Sequence, residues 1–141
     1  MLRKLLLITI LFLLLAACAP ATPTAAPTPA PITVTDGTGR SVTLAAPAQR
    51  IVTLAPSNTE ILFAIGAGSL LVGRDDYSDY PAEAVNITSI GNLYPNTNAE
   101  AVVALQPDLV LAGGITSDDD VKALSALGLT VYKAHNAKNL E

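Results

Sequence analysis

The segment Arg74-Asp-Asp-Tyr-Ser-Asp-Tyr-Pro81 holds three carboxylates and two of the chain's four tyrosines, in a chain with no tryptophan. A solvated turn needs the aspartates but not the rings. Tyr77 and Tyr80 offer flat apolar faces with a polar tip, a combination suited to a large, planar, partly polar ligand. Of the two, Tyr77 is expected to face the ligand and Tyr80 to pack beneath the loop. Tyr94, in the segment Gly91–Pro95, is a candidate for a third face.

Other chemistries fit less well. Asp75, Asp76 and Asp79 form one acidic cluster, and Asp118-Asp119-Asp120 a second. Zinc and manganese sites usually recruit several histidines, and the chain has one, His135. The spacing of the first cluster does not fit a calcium loop and reads as a solvated turn. The second is charge favourable to a helix N-terminus. Ser57 follows a strand pattern and precedes a helix, as a nucleophile would. The surrounding Leu54-Ala-Pro-Ser-Asn-Thr-Glu60 lacks the glycine-flanked elbow of hydrolases. No acid–base partner can be placed beside His135, and no glycine fingerprint for dinucleotides or phosphates is present. The chain reads as a binding protein, not an enzyme, with no cofactor or metal of its own.

The elements that must position these residues follow from periodicity and punctuation. Ile32–Leu44 alternates apolar and polar residues around Asp36-Gly37, a hairpin signal. Ile51–Leu54 is a short strand. Ser57 and Glu60 match a capping box opening a helix over Glu60–Ile65, which Gly66 and Gly68 would end. Leu70–Val72 is a second strand and Ile87–Ile90 a candidate third. Asn98 caps a helix running to Leu105, with Ala101, Val102 and Leu105 on one face, and Pro107 prevents its continuation. Leu109–Ala112 is a strand. Ser117 and Asp118 cap a helix to Leu127, Gly128 closes it, and Leu129–Tyr132 is the last strand.

Strands alternating with helices over short connections predict an α/β fold, a parallel sheet with helices on both faces, here preceded by a β-hairpin. In such sheets ligands sit beyond the carboxyl ends of the strands. Four loops would share that rim: Ala55–Asn58, Arg74–Tyr80, Gly91–Pro95 and Gly113–Ser117. The candidate ligand-binding residues are therefore Pro56, Ser57, Asn58, Tyr77, Tyr80, Leu93, Tyr94, Gly113 and Gly114.

The N-terminus points outside the cytoplasm. Arg3 and Lys4 precede the continuous apolar run Leu5–Ala17. At 13 residues that run is shorter than a spanning helix requires and fits the apolar core of a secretory signal peptide. It closes on Leu15-Ala-Ala-Cys18, which resembles a bacterial lipobox. Cys18, the single cysteine of the chain, is then the lipidated residue, and an internal disulfide is ruled out. Residues 1–17 are assigned to the signal peptide and 18–31 to a Pro/Ala/Thr-rich tether, too poor in large apolar residues to form a core. Residues 32–141 form one small domain. The formal net charge is −4; loss of Arg3 and Lys4 leaves six basic residues against twelve acidic ones. That balance argues against nucleic acid and against a polybasic membrane-surface binder. His135–Glu141 reads as the capped start of a helix at Asn139 with little chain after it, so a truncated product is expected.

Arg50-Ile-Val-Thr-Leu-Ala-Pro-Ser-Asn-Thr-Glu-Ile-Leu-Phe-Ala-Ile-Gly66, Tyr77-Ser-Asp-Tyr-Pro81 and Asn98–Gly114, together with the leader, resemble the N-terminal lobe of the substrate-binding proteins of cobalamin and iron-siderophore ABC importers. The first and last segments are general to that family, whereas Tyr77–Pro81 looks most like its cobalamin-binding members. The resemblance implies a Rossmann-like lobe, one of two that clamp the ligand between them, with the helix start near Asn139 as the connector. It implies that Tyr77 lines a corrinoid site. It also implies that Glu100 docks on the importer permease, although an acid in a first helical turn is favourable in its own right. Cobalamin binders often carry a tryptophan in the third rim loop, where Gly91-Asn-Leu-Tyr-Pro95 places Leu93 and Tyr94. Corrinoid, haem and ferric siderophore thus stay open as ligands, with a non-transport surface or sensor lobe as a reading of another class. The implied partners are a small-molecule ligand, the permease and, through the lipid, the bacterial cell membrane at its periplasmic or outer side. The protein is expected to act as a monomer.

Overall fold

The computed structural model describes residues 29–135. Cys18, the signal peptide, most of the tether and Asn139 lie outside the described residues. The first elements among the described residues form an antiparallel hairpin, β1 (Ile32–Thr35) and β2 (Ser41–Leu44). A four-stranded sheet follows, made of β3 (Ile51–Leu54), β4 (Leu71–Gly73), β5 (Leu109–Ala112) and β6 (Val131–Lys133). Its order is β4-β3-β5-β6 and every pairing is parallel. The helices α1 (Pro56–Ala64), α2 (Ala99–Ala104) and α3 (Asp118–Ala126) form the crossovers, with short 3-10 turns at Gly68–Leu70 and Ala82–Asn86.

The two-residue period of a strand divides the core. Val52, Leu54, Val110 and Ala112 point to one face, where they pack with Val102 of α2 and with Val121 and Leu124 of α3. Ile51, Leu71, Leu109 and Leu111 point to the other, where Leu62 of α1 packs. Because both faces are covered, β3 is buried at all four positions, as a central parallel strand requires. Arg50 and Asp108 lock the amino ends of β3 and β5. The Asp108 carboxylate accepts from the backbone N–H groups of Gln49 (2.7 Å) and Arg50 (3.0 Å), while the Arg50 guanidinium donates to the carbonyls of Leu105 and Gln106.

Most helix ends follow the sequence. Asn98 accepts from the N–H of Ala101, and Ser117 accepts from that of Asp120. Gly66 and Gly128 adopt φ of +79° and +83°. The N–H groups that follow them, of Ala67 and Leu129, bond back to Leu62 and Leu124, forming two Schellman closures. Three expectations differ. The capping box at Ser57 and Glu60 does not form: α1 starts at Pro56, and its N-cap, Ala55, offers no side-chain bond. Proline's fixed φ starts the helix, and tertiary bonds recruit the next turn: Asn58 Nδ2 donates to Leu111 O (3.1 Å) and the hydroxyls of Thr53 and Thr59 lie 2.6 Å apart. Ile87–Ile90 is not a strand. Only a single bridge, Arg74 to Ser89, extends β4 at that edge, because the intervening chain coils into the 3-10 turn at Ala82–Asn86. The hairpin turn spans Asp36–Arg40, since Thr35 pairs with Ser41.

The turn is organised by one carboxylate. Asp36 is 5% exposed and accepts from Thr38 N, Thr38 Oγ1, Arg40 N and the Arg40 guanidinium. Gly37 N donates to Lys133 O (2.7 Å) and Arg40 Nη2 to Val131 O, tying the hairpin to β6. Burial pushes the Asp36 carboxyl up, but the bonds from Thr38 and Arg40 outweigh it and hold the group well below the ordinary carboxylate range. A depressed folded-state pKa gives stability that is present above the unfolded value of about 4 and is lost as pH falls below it. Asp36→Asn should therefore lower the urea midpoint at pH 7 and shrink the loss between about pH 4 and pH 2, both measurable by far-UV circular dichroism.

Candidate functional site

A cavity of about 510 Å³ opens at the carboxyl end of the sheet, with contributions from all four rim loops. Pro56 supplies the first wall, directly after β3. Asp75 and Tyr77 come from the loop after β4. Asn92, Leu93, Tyr94 and Pro95 come from the third loop, continued by Thr97. Ile115, Thr116 and Ser117, with Asp120 of α3, close the fourth side. Tyr77, Tyr94 and Ile115 are 65%, 85% and 78% exposed, so large apolar faces stand in solvent around a concave floor, a signature of ligand sites.

The acidic loop is held from within. Asp75 is buried, and its carboxylate accepts from Tyr77 N (2.9 Å) and from the Ser78 hydroxyl. Both bonds turn the backbone so that Tyr77 points outward. Asp76 joins this loop to the third: its N–H donates to Gly91 O (3.2 Å) and its carboxylate accepts from Ser89. Asn92 continues the link, donating from Nδ2 to Tyr77 Oη (3.3 Å) and accepting at Oδ1 from Tyr94 N (2.9 Å). Tyr77 and Tyr94 are thus positioned by one shared asparagine.

The opposite wall is built on the start of α3. Asp120 Oδ1 accepts from Thr97 N (3.1 Å) and Oδ2 from Ser117 Oγ (2.8 Å), bridging the third and fourth loops. Beside it lie Thr97 Oγ1 and Thr116 Oγ1, sealed from solvent and without a hydrogen-bond partner among the described residues. An unpaired buried hydroxyl costs about 1–3 kcal/mol. Asp118, exposed at the same helix start, is paired with Lys133 at 2.6 Å, and that bond holds its carboxyl below the ordinary range.

Residues 51–136 match the model of the periplasmic binding protein family. The chain belongs to the periplasmic binding protein family. Within it, the chain is 38% identical over 111 residues to YvrC, an ABC transporter substrate-binding lipoprotein of Bacillus subtilis, covering 77% of this chain and 35% of that protein. The crystal structure of the vitamin B12-binding protein BtuF of Vibrio cholerae superposes with a TM-score of 0.57 at 39% identity, over 62% of this chain and 34% of that one. A heme-binding protein of Pseudomonas aeruginosa gives a TM-score of 0.57 at 31% identity, over 61% of this chain and 31% of that one. The chain thus spans about a third of the length of the relatives it matches.

On this periplasmic-binding fold, Pro56, Tyr77, Leu93 and Tyr94 meet at the cavity. The other sequence candidates lie elsewhere. Ser57 is exposed in the first turn of α1, and Asn58 is buried with its amide spent on β5. Tyr80 is not packed beneath the loop; it is 68% exposed and borders a separate hollow with Phe63 and Glu83. Ser78 and Asp75 occupy the space beneath the loop instead. Gly113 and Gly114 do not line the cavity, and Glu100 is exposed in the first turn of α2. His135 lies against Gly37 of the hairpin turn. Among the described residues no group of three or more histidine, cysteine or acidic side chains is arranged to hold a metal ion. Asn92, Thr97, Ile115, Thr116 and Asp120 were not candidates from sequence. Ile115 carried a signal, a large apolar residue in a glycine-led rim loop; the others are ordinary loop or helix-start residues.

Gly113 sets the spacing of the first and fourth loops. A Cβ there would lie 2.5 Å from the Cβ of Ala55. Gly113→Ala should destabilise the protein by roughly 1–3 kcal/mol, and Ala55→Gly in the same chain should restore part of it. A double-mutant cycle by urea unfolding measures the coupling.

Proposed function

We propose that this chain is the ligand-capturing first lobe of an extracytoplasmic substrate-binding protein. In this reading it is anchored through a lipid on Cys18, held off the membrane by residues 18–31, and delivers a corrinoid to an ABC importer. The work is binding and hand-over, not catalysis. The observation that carries the reading is the tyrosine-rimmed cavity on the carboxyl edge of the sheet, where Tyr77 and Tyr94 are presented by one asparagine. Exposed rings at such a rim suit a macrocycle whose flat apolar body needs stacking and whose edge is polar. The similarity to a vitamin B12-binding protein at 39% identity supports the corrinoid, and the likeness to YvrC, a lipoprotein, supports the anchor. The likeness to a heme-binding protein at 31% identity makes haem the second ligand to test.

Titration calorimetry with cyanocobalamin, with hemin in parallel, decides between them. Saturable one-to-one binding of cyanocobalamin supports the corrinoid; heat only with hemin moves the ligand to haem. Tyr77→Ala should weaken binding of the preferred ligand roughly tenfold, and unchanged affinity would remove Tyr77 from the site.

Glu100 is the proposed contact with a cationic group of the permease. It is exposed at the start of α2 and outside the cavity, so docking and ligand capture are separable. Glu100→Arg should abolish corrinoid uptake by cells that rely on this protein while leaving the calorimetric affinity unchanged. Uptake at the normal rate would refute the role.

A further inference from the structure

The cavity lining holds two polar groups that the fold leaves without a partner among the described residues. Thr97 and Thr116 are 9% and 5% exposed, both line the cavity, and neither Oγ1 has a partner among the described residues. They flank Asp120, whose two carboxylate oxygens are already committed to Thr97 N and Ser117 Oγ. Buried hydroxyls in folded proteins nearly always find a partner, so two orphans on one cavity wall call for an explanation.

We propose that Thr97 and Thr116 form a hydroxyl pair that binds a primary amide on the ligand's periphery and selects against a carboxylate. The inference rests on the cavity being the ligand site. A threonine hydroxyl both donates and accepts, so it can serve the carbonyl and the N–H₂ of one amide. Both oxygens are sealed from solvent, so the pairing requires the threonine side chains to turn about χ1 towards the cavity as the ligand enters. Both hydroxyls could also donate to a carboxylate, so the discrimination comes from charge. A carboxylate would sit in a lining that already carries Asp120 and the buried Asp75 and that contains, among the described residues, no lysine, arginine or histidine to offset it. The N-terminus of α3 does not supply the missing positive charge, because its first turn carries Asp118, Asp119 and Asp120. The selectivity thus arises on the wall, away from the tyrosines, which accept any flat apolar face.

The test uses the chain with two planar probes of one shape, benzamide and benzoate, followed by backbone NMR. Benzamide should shift the amide resonances of Thr97, Thr116 and Asp120 saturably, and benzoate should not. Thr97→Val and Thr116→Val keep shape and remove the hydroxyl. Each variant should unfold at no lower a temperature than wild type without ligand, and each should bind benzamide and cyanocobalamin roughly threefold to tenfold more weakly. Less stable variants would mean that the hydroxyls already have partners, and they overturn the proposal. So does benzoate shifting the same resonances as far as benzamide, or affinity that the valines leave unchanged. Failure of cyanocobalamin to bind while benzamide still shifts the threonines sinks the corrinoid reading alone. Tight cyanocobalamin binding indifferent to both valines sinks the hydroxyl pair alone.

Discussion

Strand β3 carries the architecture. Its four residues are paired in parallel on both edges, with β4 and β5, and buried on both faces. A parallel strand in this position leaves no polar backbone group to solvent and no side chain free to slip register, since a shift of one residue would exchange the two cores. The carboxyl ends of β3, β4 and β5 are thereby held in one line. Every wall of the cavity starts from that line or from the chain that hydrogen-bonds to it. Arg50 and Asp108 brace the opposite end, so the rim is a consequence of sheet pairing and not of the loops' own preferences.

Four carboxylates in this chain serve as backbone anchors. Asp36 folds the hairpin turn, Asp75 the tyrosine loop, Asp108 the strand starts, and Asp120 joins the third and fourth rim loops. Each accepts N–H groups that the irregular backbone would otherwise leave unpaired. The acidic composition describes how a small domain with short elements satisfies long connections, and it leaves the cavity with negative character as a by-product.

The rim differs from the core in how it spends free energy. The core is closed and apolar, whereas the cavity keeps exposed rings on one side and sealed, unpaired hydroxyls on the other. Both features are unfavourable without a ligand, by exposed apolar area in one case and by lost hydrogen bonds in the other. A ligand that stacks on the tyrosines and pairs with the threonines relieves both at once, which links the local instability of the site to its capacity for binding.

Much of the fold was legible in the residues themselves. The β-branched run Ile51–Leu54, the caps Asn98 and Ser117, and Gly66 and Gly128 each signal an element through local chemistry, and each element formed where that chemistry put it. Alternation of strands and helices then implied a parallel sheet and hence a rim at its carboxyl end, with Tyr77, Leu93 and Tyr94 on it. Local chemistry misled where tertiary contacts prevailed: the capping box expected at Ser57 and Glu60 gives way to a helix start at Pro56 with Asn58 and Thr59 bonded to β5 and β3, and Ser78, not Tyr80, fills the space beneath the loop. The loop Gly113–Ser117 was legible as part of the rim, but its link to Thr97 was not: Thr97 lies in a separate segment, and it meets Asp120 only when the crossover through β5 brings the two segments together. The sequence by itself determined most of the elements and the edge on which the cavity opens, because propensity and periodicity act over a few residues. Tertiary structure alone decided which hydroxyls are left without partners, because satisfaction of a buried polar group depends on everything packed around it.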